Sequence, residues 1–174
     1  MLDLLKESYK DMWVIFDLDG TIANIEERRK VSQKENGKLD WDKFFDPANI
    51  KLDTPNSKII TLLIMLKNTG FNIAILSGRS KATKLATTEW LKINHVPYNI
   101  LKMRPTNTAG SVKPTHNKFE FMPDDKLKEH WLNDLFPKED RERKLFMVFD
   151  DRDKVVKMWR KNNITCLQVA DGEF

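Results

Sequence analysis

Two aspartates two positions apart, Asp17 and Asp19, are the residues of this sequence best suited to chemistry. They follow the apolar run 12–16, which is typical of a buried strand, and alternate side chains of a strand point the same way. Gly20 then permits a sharp turn, so we expect both carboxylates at the carboxyl end of the strand, where open α/β sheets place their ligands. One aspartate could attack an electrophile while the other moves protons, and together they could hold a hard cation such as Mg²⁺. Taken alone, the same residues also fit a strand that ends in an ordinary Asp-Gly turn.

A second polar group, Ser77-Gly78-Arg79, follows the apolar run 72–76. A hydroxyl, a glycine and the amides of a helix start would together form a cradle for oxyanions. The alternative is an ordinary strand-to-helix turn, which these three residues alone would favour.

A third group, Asp150 and Asp151, follows the apolar run 145–149. Adjacent acids repel each other unless a cation lies between them and the first pair, although a solvated helix start would also suit acids. Lys126 and Lys128 precede this group on a predicted helix, where a lysine could neutralise both a nucleophile and a phosphate. Charge alone does not choose between the two lysines.

Short apolar runs alternate along the chain with helical patterns. This alternation predicts a mostly parallel sheet that is covered by helices on both faces and that positions the three polar groups. The helix before Gly70 is apolar nearly all round and is therefore predicted to be deeply buried. The predicted strands cover residues 13–16, 72–76, 99–103, 145–149 and 165–169. The predicted helices run from about residue 55 to 69, from near residue 80, from residue 123, and through residues 155–159.

Two segments fall outside this alternation. Residues 22–53 are charged and contain Arg28-Arg29-Lys30, Trp41 and Phe44-Phe45, and an insert directly after the first acidic pair would stand over the strand ends as a lid. Basic and aromatic side chains there could grip a phosphate and stack a base, or the aromatic ones could simply pack the lid onto the sheet. Residues 104–123 read as a long loop, rich in proline and polar residues.

Composition indicates a soluble globular protein, with 40% hydrophobic and 32% charged residues in 174. The net charge of +4 permits an anionic partner without requiring one. Cys166 is the only cysteine, which excludes an internal disulfide and fits a reducing cytoplasm. The first residues carry acids where a signal peptide needs bases, and no apolar stretch reaches the roughly 20 residues that cross a membrane. The sequence therefore predicts a cytoplasmic protein that has no membrane partner.

Taken in order, the motifs Asp-x-Asp-Gly-Thr, Ser-Gly-Arg, Lys and Asp-Asp resemble those of the haloacid dehalogenase superfamily of phosphotransferases. The resemblance implies one α/β domain over residues 1–174, a doubly wound, Rossmann-like and mostly parallel sheet with a small cap insert at 22–53. It also implies that the Asp17 strand lies between the Ser77 and Asp150 strands.

The same resemblance implies roles for the motif residues. Asp17 would be the nucleophile that forms an aspartyl-phosphate, and Asp19 would protonate the leaving group and later activate water. Ser77, the Gly78 amide and the motif lysine would bind the phosphoryl group. Mg²⁺ would be held by Asp17, Asp150 and Asp151, with the main chain of Asp19 as a further ligand.

A narrower resemblance, to the 3′-phosphatase domain of bacteriophage polynucleotide kinase/phosphatase, covers most of the chain. It is carried by residues 149–160 and 166–174, by Val96-Pro97, by Met103-Arg104 and by Asp124-Asp125. It selects Lys128 over Lys126, and it implies substrate-binding roles for further residues, namely Arg28, Arg79, Arg104 and Asp124.

The predicted activity is therefore Mg²⁺-dependent removal of a 3′-terminal phosphate from DNA or RNA, alongside a separate kinase or ligase. The sequence lacks the Gly-x-x-x-x-Gly-Lys-Ser/Thr loop of the kinase domain, and its segment between Arg104 and Asp124 is longer than the bacteriophage one. A phosphatase for free nucleotides or other small phosphate esters remains an alternative. An inactive nucleic-acid-binding module is disfavoured, because clustered carboxylates facing a polyanion would weaken binding.

Overall fold

The computed structural model describes residues 2–105 and 118–172, and its centre is a five-stranded sheet in which every neighbouring pair is parallel. The strands are β1 (Trp13–Phe16), β2 (Ala23–Asn24), β3 (Thr54–Pro55), β4 (Asn72–Ser80), β5 (Ile100–Arg104), β6 (Leu145–Asp150) and β7 (Cys166–Gln168). The sheet has the order β5-β4-β1-β6-β7, and β2 pairs with β3 in a separate antiparallel ribbon. The predicted parallel sheet is confirmed, with β1 between β4 and β6.

Helices lie on both faces of this sheet, as the strand-helix alternation predicts. They are α1 (Leu2–Tyr9), α2 (Glu26–Val31), α3 (Trp41–Phe44), α4 (Pro47–Ile50), α5 (Ser57–Asn68), α6 (Lys84–Ile93), α7 (Asp124–Leu135), α8 (Lys138–Lys144) and α9 (Asp153–Lys161). No helix in the described ranges combines the length and the apolar character needed to cross a bilayer.

Alternation along β1 divides the core into two clusters. Val14 and Phe16 face one cluster, to which α5 and α6 contribute, whereas Ile15 faces the other, formed with α7 and α9. All three side chains are buried, because a parallel strand covered on both faces has no solvent side. The doubly wound arrangement brings the carboxyl ends of β1, β4 and β6 to one edge of the sheet.

Two features differ from the sequence-based expectation. In α5 only Ile60 and Leu63 are buried, and Met65 is 60% exposed, so the prediction of a deeply buried helix is wrong. A single sheet face can cover only one side of a helix, and the remaining apolar side chains stay partly accessible. In β4 the extended chain continues through Ser80 instead of ending at Leu76, and helix α6 begins only at Lys84.

Residues 22–53 contain β2 and helices α2, α3 and α4. Phe44 and Ile50 are buried in the same cluster as Val14, whereas Trp41 is 56% exposed. Phe44 therefore packs this insert onto the domain, while Trp41 is presented outward; the role of the insert as a lid stays a prediction. Of the predicted loop 104–123, residues 106–117 lie outside the described part of the chain.

Candidate active site

The carboxyl edge of the sheet gathers three aspartates. Asp17 directly follows β1, Asp150 ends β6 and Asp151 comes next, and the Asp17 amide donates a 2.9 Å hydrogen bond to the Phe149 carbonyl that ties the two strands together. All three carboxylates are buried, and one oxygen from each lies within 4.8 Å of the others. The structure thus brings together the residues predicted to hold Mg²⁺.

Lys128 enters this cluster from α7. Its Nζ donates to Asp17 Oδ1 at 2.5 Å and to Asp150 Oδ2 at 2.8 Å. Burial alone would lower the pKa of Lys128, but the charges of Asp150 and Asp17 outweigh it and raise that pKa. Lys126, two positions away, is exposed and pairs with Glu129. The structure therefore distinguishes the two lysines, which charge alone could not do.

The acidic cluster carries more negative charge than Lys128 can balance. Burial, together with the charges of Asp150 and Asp151, raises the pKa of Asp17 well above its usual range. Burial and the neighbouring Asp150 raise the pKa of Asp151 to about 6, although Thr21 Oγ1 donates a hydrogen bond to this carboxylate. The three buried carboxylates form an all-oxygen ligand set whose negative charge exceeds the single positive charge of Lys128, and this set fits a hard divalent cation such as Mg²⁺.

The second motif aspartate, Asp19, has different partners. The Arg79 guanidinium donates to it through Nε at 2.8 Å and Nη2 at 2.5 Å, and Arg28 also donates to Oδ1. Both guanidiniums are fully buried, and both also bind the buried Asp53, at 2.8 Å from Arg28 and 2.5 Å from Arg79. Two arginines and two aspartates thus form a neutral cluster, and Arg28 lies 4.2 Å over the Phe44 ring as well.

The environment of Asp19 acts on its acidity in the opposite direction to that of Asp17. Burial opposes ionisation, but Arg79 and then Arg28 outweigh burial and hold the pKa of Asp19 below its usual range. Asp19 therefore rests as a carboxylate that is held in one orientation, with its side chain 20% exposed at the cleft. The predicted contact of Arg28 and Arg79 with a substrate phosphate stays a prediction; the contacts present in the structure support Asp19.

Asp53 is a site residue that the sequence analysis missed. It lies at the end of the charged insert, beside β3, and no neighbouring motif marks it. The Trp90 indole donates to its backbone carbonyl at 2.9 Å, which fixes it against α6. Only the folded chain shows that its carboxylate joins the two arginines.

Two glycines of the site lie against acidic side chains. A Cβ on Gly78 would lie 2.7 Å from Asp124 Oδ1, and one on Gly20 would lie 2.1 Å from Asp151 Oδ2. Gly20 also has a φ of +85°, which disfavours other residues. Both glycines therefore let acidic side chains approach the main chain closely.

Asp124 also lines the cleft and links two arginines there. Its carboxylate pairs with Arg104 and with Arg152, and the Arg104 Nε donates to the Gly78 carbonyl at 3.1 Å. The predicted start of α7 near residue 123 agrees with the structure, but the Asp124 side chain binds these arginines and makes no capping hydrogen bond to the helix. Ser77 is buried beside this group, and its Oγ accepts a hydrogen bond from the Arg79 amide.

These groups open into a cleft of about 950 Å³. Asp17, Lys128 and the other catalytic candidates line one part of it, and aromatic side chains line another. Trp41 stacks on Phe45 at a centroid distance of 5.8 Å, and Phe121, which the sequence analysis did not single out, is 91% exposed. The cleft thus combines an acidic floor with aromatic and cationic walls.

Comparisons with known proteins agree with this architecture. The model of a family described as the polynucleotide kinase PNKP phosphatase domain matches residues 11–174. A chain in the structure of the Pnkp1/Rnl/Hen1 RNA repair complex is 26% identical, with a TM-score of 0.69; the match covers 94% of this chain and 43% of that one. The present chain therefore spans less than half the length of that relative.

Two more distant structures share the fold. A predicted phosphatase from Clostridium acetobutylicum is 15% identical, with a TM-score of 0.65 and coverage of 90% of this chain and 83% of that one. CbbY from Rhodobacter sphaeroides, in complex with phosphate, is 13% identical, with a TM-score of 0.57 and coverage of 93% and 86%.

The sheet order and the acid-bearing strand ends agree with the fold of these neighbours, and the family model places the chain among phosphatase domains of the haloacid dehalogenase class. Within that class the match over residues 11–174 is decisive, and the chain belongs to the polynucleotide kinase PNKP phosphatase-domain family.

Proposed function

We propose that this chain removes the 3′-terminal phosphate from a DNA or RNA end in a Mg²⁺-dependent reaction. The observation that carries the proposal is the composition of the cleft. Asp17, Lys128 and their acidic neighbours line the cleft, and the aromatic residues Trp41 and Phe121 line it as well. An acidic floor can hold the metal and the phosphate, and exposed aromatic rings can stack a base.

The reaction begins with attack of an Asp17 carboxylate oxygen on phosphorus. An O–P bond forms to Asp17, the bond from phosphorus to the sugar 3′-oxygen breaks, and that oxygen takes a proton from Asp19. Lys128 lies 2.5 Å from Asp17 and is placed to stabilise negative charge on the phosphoryl oxygens. Ser77 and the amide of Gly78 are proposed as further phosphate ligands.

The second step hydrolyses the aspartyl-phosphate. Asp19 takes a proton from water, the water oxygen attacks phosphorus, and Asp17 is released as a carboxylate together with inorganic phosphate. The lowered pKa of Asp19 keeps it in the deprotonated form that can accept this proton. The first step needs Asp19 protonated, and the negative charge of an arriving phosphate favours that form because it raises the pKa of a nearby carboxyl group.

We assign the Mg²⁺ site to Asp17, Asp150 and Asp151, with the main chain of Asp19 as a further ligand. The three side chains supply oxygen atoms close together and carry uncompensated charge, which are the properties a hard cation requires. When bound, the ion would neutralise charge on the transferring phosphoryl group.

A substrate panel tests the proposal. The wild-type protein, with Mg²⁺, would be given a 3′-phosphorylated DNA oligonucleotide, the RNA equivalent, nucleoside 3′-monophosphates and sugar phosphates, and phosphate release would be measured. We expect an oligonucleotide to have the highest kcat/KM, and chelator to abolish release. A preference for mononucleotides or sugar phosphates would replace this function with that of a small-molecule phosphatase. No release from any substrate would favour a nucleic-acid-binding module.

A separate kinase or ligase is the proposed partner. The support is that a chain 26% identical to this one occurs in an RNA repair complex. The proposed reaction leaves a 3′-hydroxyl, which is the group that a strand-joining enzyme needs. Co-purification of this chain with a candidate kinase or ligase at physiological salt would test the association.

A further inference from the structure

Helix α9 presents a surface of a single charge sign. Its buried side chains, Val155, Val156, Met158 and Trp159, pack into the core. The exposed residues of the helix are all basic, namely Lys154, Lys157, Arg160 and Lys161. We call these four residues the α9 basic stripe.

The other long helices do not share this pattern. Helix α6 exposes Leu85, Glu89 and Ile93 beside its lysines, and α7 exposes Asp134 as well as Lys126. A solvated surface helix usually mixes both signs of charge with neutral residues. The exposed side of α9 is therefore more basic than those of α6 and α7.

The stripe begins at the catalytic edge of the sheet. Helix α9 follows directly after Asp151 and Arg152, which both line the cleft. Its exposed residues then lead away from the cleft over seven positions, or about 10 Å at 1.5 Å per residue. A polyanion whose end occupies the cleft would meet these cations along its next stretch.

Neighbouring acids balance only part of this charge. Lys154 Nζ lies 3.4 Å from Asp125 Oδ1, and Glu129 on α7 interacts with Lys161. Arg160 donates a hydrogen bond to the backbone carbonyl of Cys166, which is a neutral partner. Asp153, which is partly exposed in the first turn of α9, is a third neighbouring acid, so three acids face four bases and the stripe keeps a net positive charge.

We propose that the α9 basic stripe binds the sugar-phosphate backbone of a single-stranded polynucleotide whose 3′ end lies in the cleft. This inference rests on the proposed function, because it assigns a path to the same substrate beyond the terminal phosphate. Lysines spaced along a groove or helix give sequence-independent affinity that decreases with salt, through the release of counterions.

A binding experiment tests the stripe without using catalysis. A fluorescent single-stranded oligonucleotide of about 12 nucleotides with a 3′-hydroxyl would be titrated with the full chain, and Kd would be followed by anisotropy as KCl is raised from about 50 mM. The test variant is the double substitution Lys157→Gln and Lys161→Gln. It leaves Lys154 and Arg160 in place because they contact Asp125 and Cys166.

The matched control is the double substitution Lys84→Gln and Lys92→Gln. Both lysines are exposed on α6, which covers the opposite face of the sheet, so the control removes the same charge elsewhere. We expect the stripe variant to bind at least about fivefold more weakly at low salt, and its log Kd against log salt slope to decrease by about 1.4, at 0.7 per lost contact. The control should change Kd less than about twofold, and both variants should unfold at the wild-type Tm.

Equal weakening of binding by the two variants would overturn the proposal, since net charge alone would then explain it. So would equal competition by polyglutamate of the same charge, which would indicate an acidic protein as the partner. Wild-type hydrolysis of a 3′-phosphorylated oligonucleotide, measured in parallel, separates the two proposals. Stripe-dependent binding without hydrolysis refutes the phosphatase substrate, and hydrolysis with unchanged binding in the stripe variant refutes the stripe.

Discussion

Replacing Lys128 by methionine should separate the structural and catalytic contributions of this one buried charge. The ammonium lies 2.5 Å from Asp17 and 2.8 Å from Asp150, and it is the counter-charge that the described side chains supply directly to the acidic cluster. The Coulomb attraction within each pair is several kcal/mol at an effective dielectric constant of about 20, although the cost of desolvating the ions offsets much of it. Removing one partner of such a buried pair typically costs about 3–5 kcal/mol. For a chain of this size, that cost corresponds to a decrease in Tm of roughly 10 °C.

The assay compares thermal unfolding at about pH 8 in chelator and in saturating Mg²⁺, together with turnover of the best phosphate substrate. We expect Lys128→Met to lose stability in chelator and to regain most of it with Mg²⁺, because the cation supplies the missing positive charge. Turnover should stay at least about a hundredfold below wild type, since the metal cannot replace the contact with the phosphoryl oxygens. The matched control is Lys126→Met, which alters an exposed pair with Glu129 and should leave both measurements unchanged. If Lys128→Met matches Lys126→Met in chelator, the reasoning about the buried cluster is refuted.

Three further predictions concern the aspartates and one of their partners. Asp17→Asn should abolish turnover while Tm in chelator stays the same or rises, because the amide keeps the shape and removes one of the mutually repelling charges. The Asp151 carboxyl has a folded pKa of about 6, above its unfolded value, so the folded state binds more protons between about pH 4 and 6. In chelator, Tm should therefore rise as pH falls from about 8 towards 5, and the stabilisation by Mg²⁺ should shrink over the same range; a Tm that falls instead would contradict this. Arg79→Gln should raise the pKa of Asp19 and shift the acidic limb of the pH–rate profile to higher pH, whereas a lower kcat with an unshifted profile would assign Arg79 a purely structural role.

The parts of the site that the sequence predicts are those attached to strand ends. Asp17, Asp150 and Ser77 each follow an apolar run, and parallel strands necessarily bring their carboxyl ends together. The choice of Lys128 over Lys126 came from the family resemblance, and the structure gives its physical content, since only Lys128 reaches the carboxylates.

Other parts could not be predicted because they depend on tertiary contacts between distant segments. Asp53 is 34 positions from Asp19, and nothing local marks it as a partner of Arg28 and Arg79. The prediction that α5 is deeply buried was wrong, because the pattern of apolar residues does not show how much of the helix surface the sheet will cover. Phe121 lies in the proline-rich segment where hydrophobic patterning gives no direction for a side chain.

The two aspartates of the Asp-x-Asp motif receive opposite environments although they are two residues apart. Burial, together with the neighbouring acids, raises the pKa of Asp17, whereas a pair of arginines outweighs burial and lowers the pKa of Asp19. Such a separation is how one site assigns different roles to chemically identical groups. The Asp19 environment is complete within the folded chain, because the positive charges of Arg28 and Arg79 are balanced by Asp53 together with Asp19 itself. The Asp17 environment is incomplete without a cation, since Lys128 balances only one of three carboxylates. Nucleophilicity at Asp17 should therefore depend on Mg²⁺ concentration near neutral pH, whereas proton transfer at Asp19 should depend on the two arginines and on the charge of the bound phosphate.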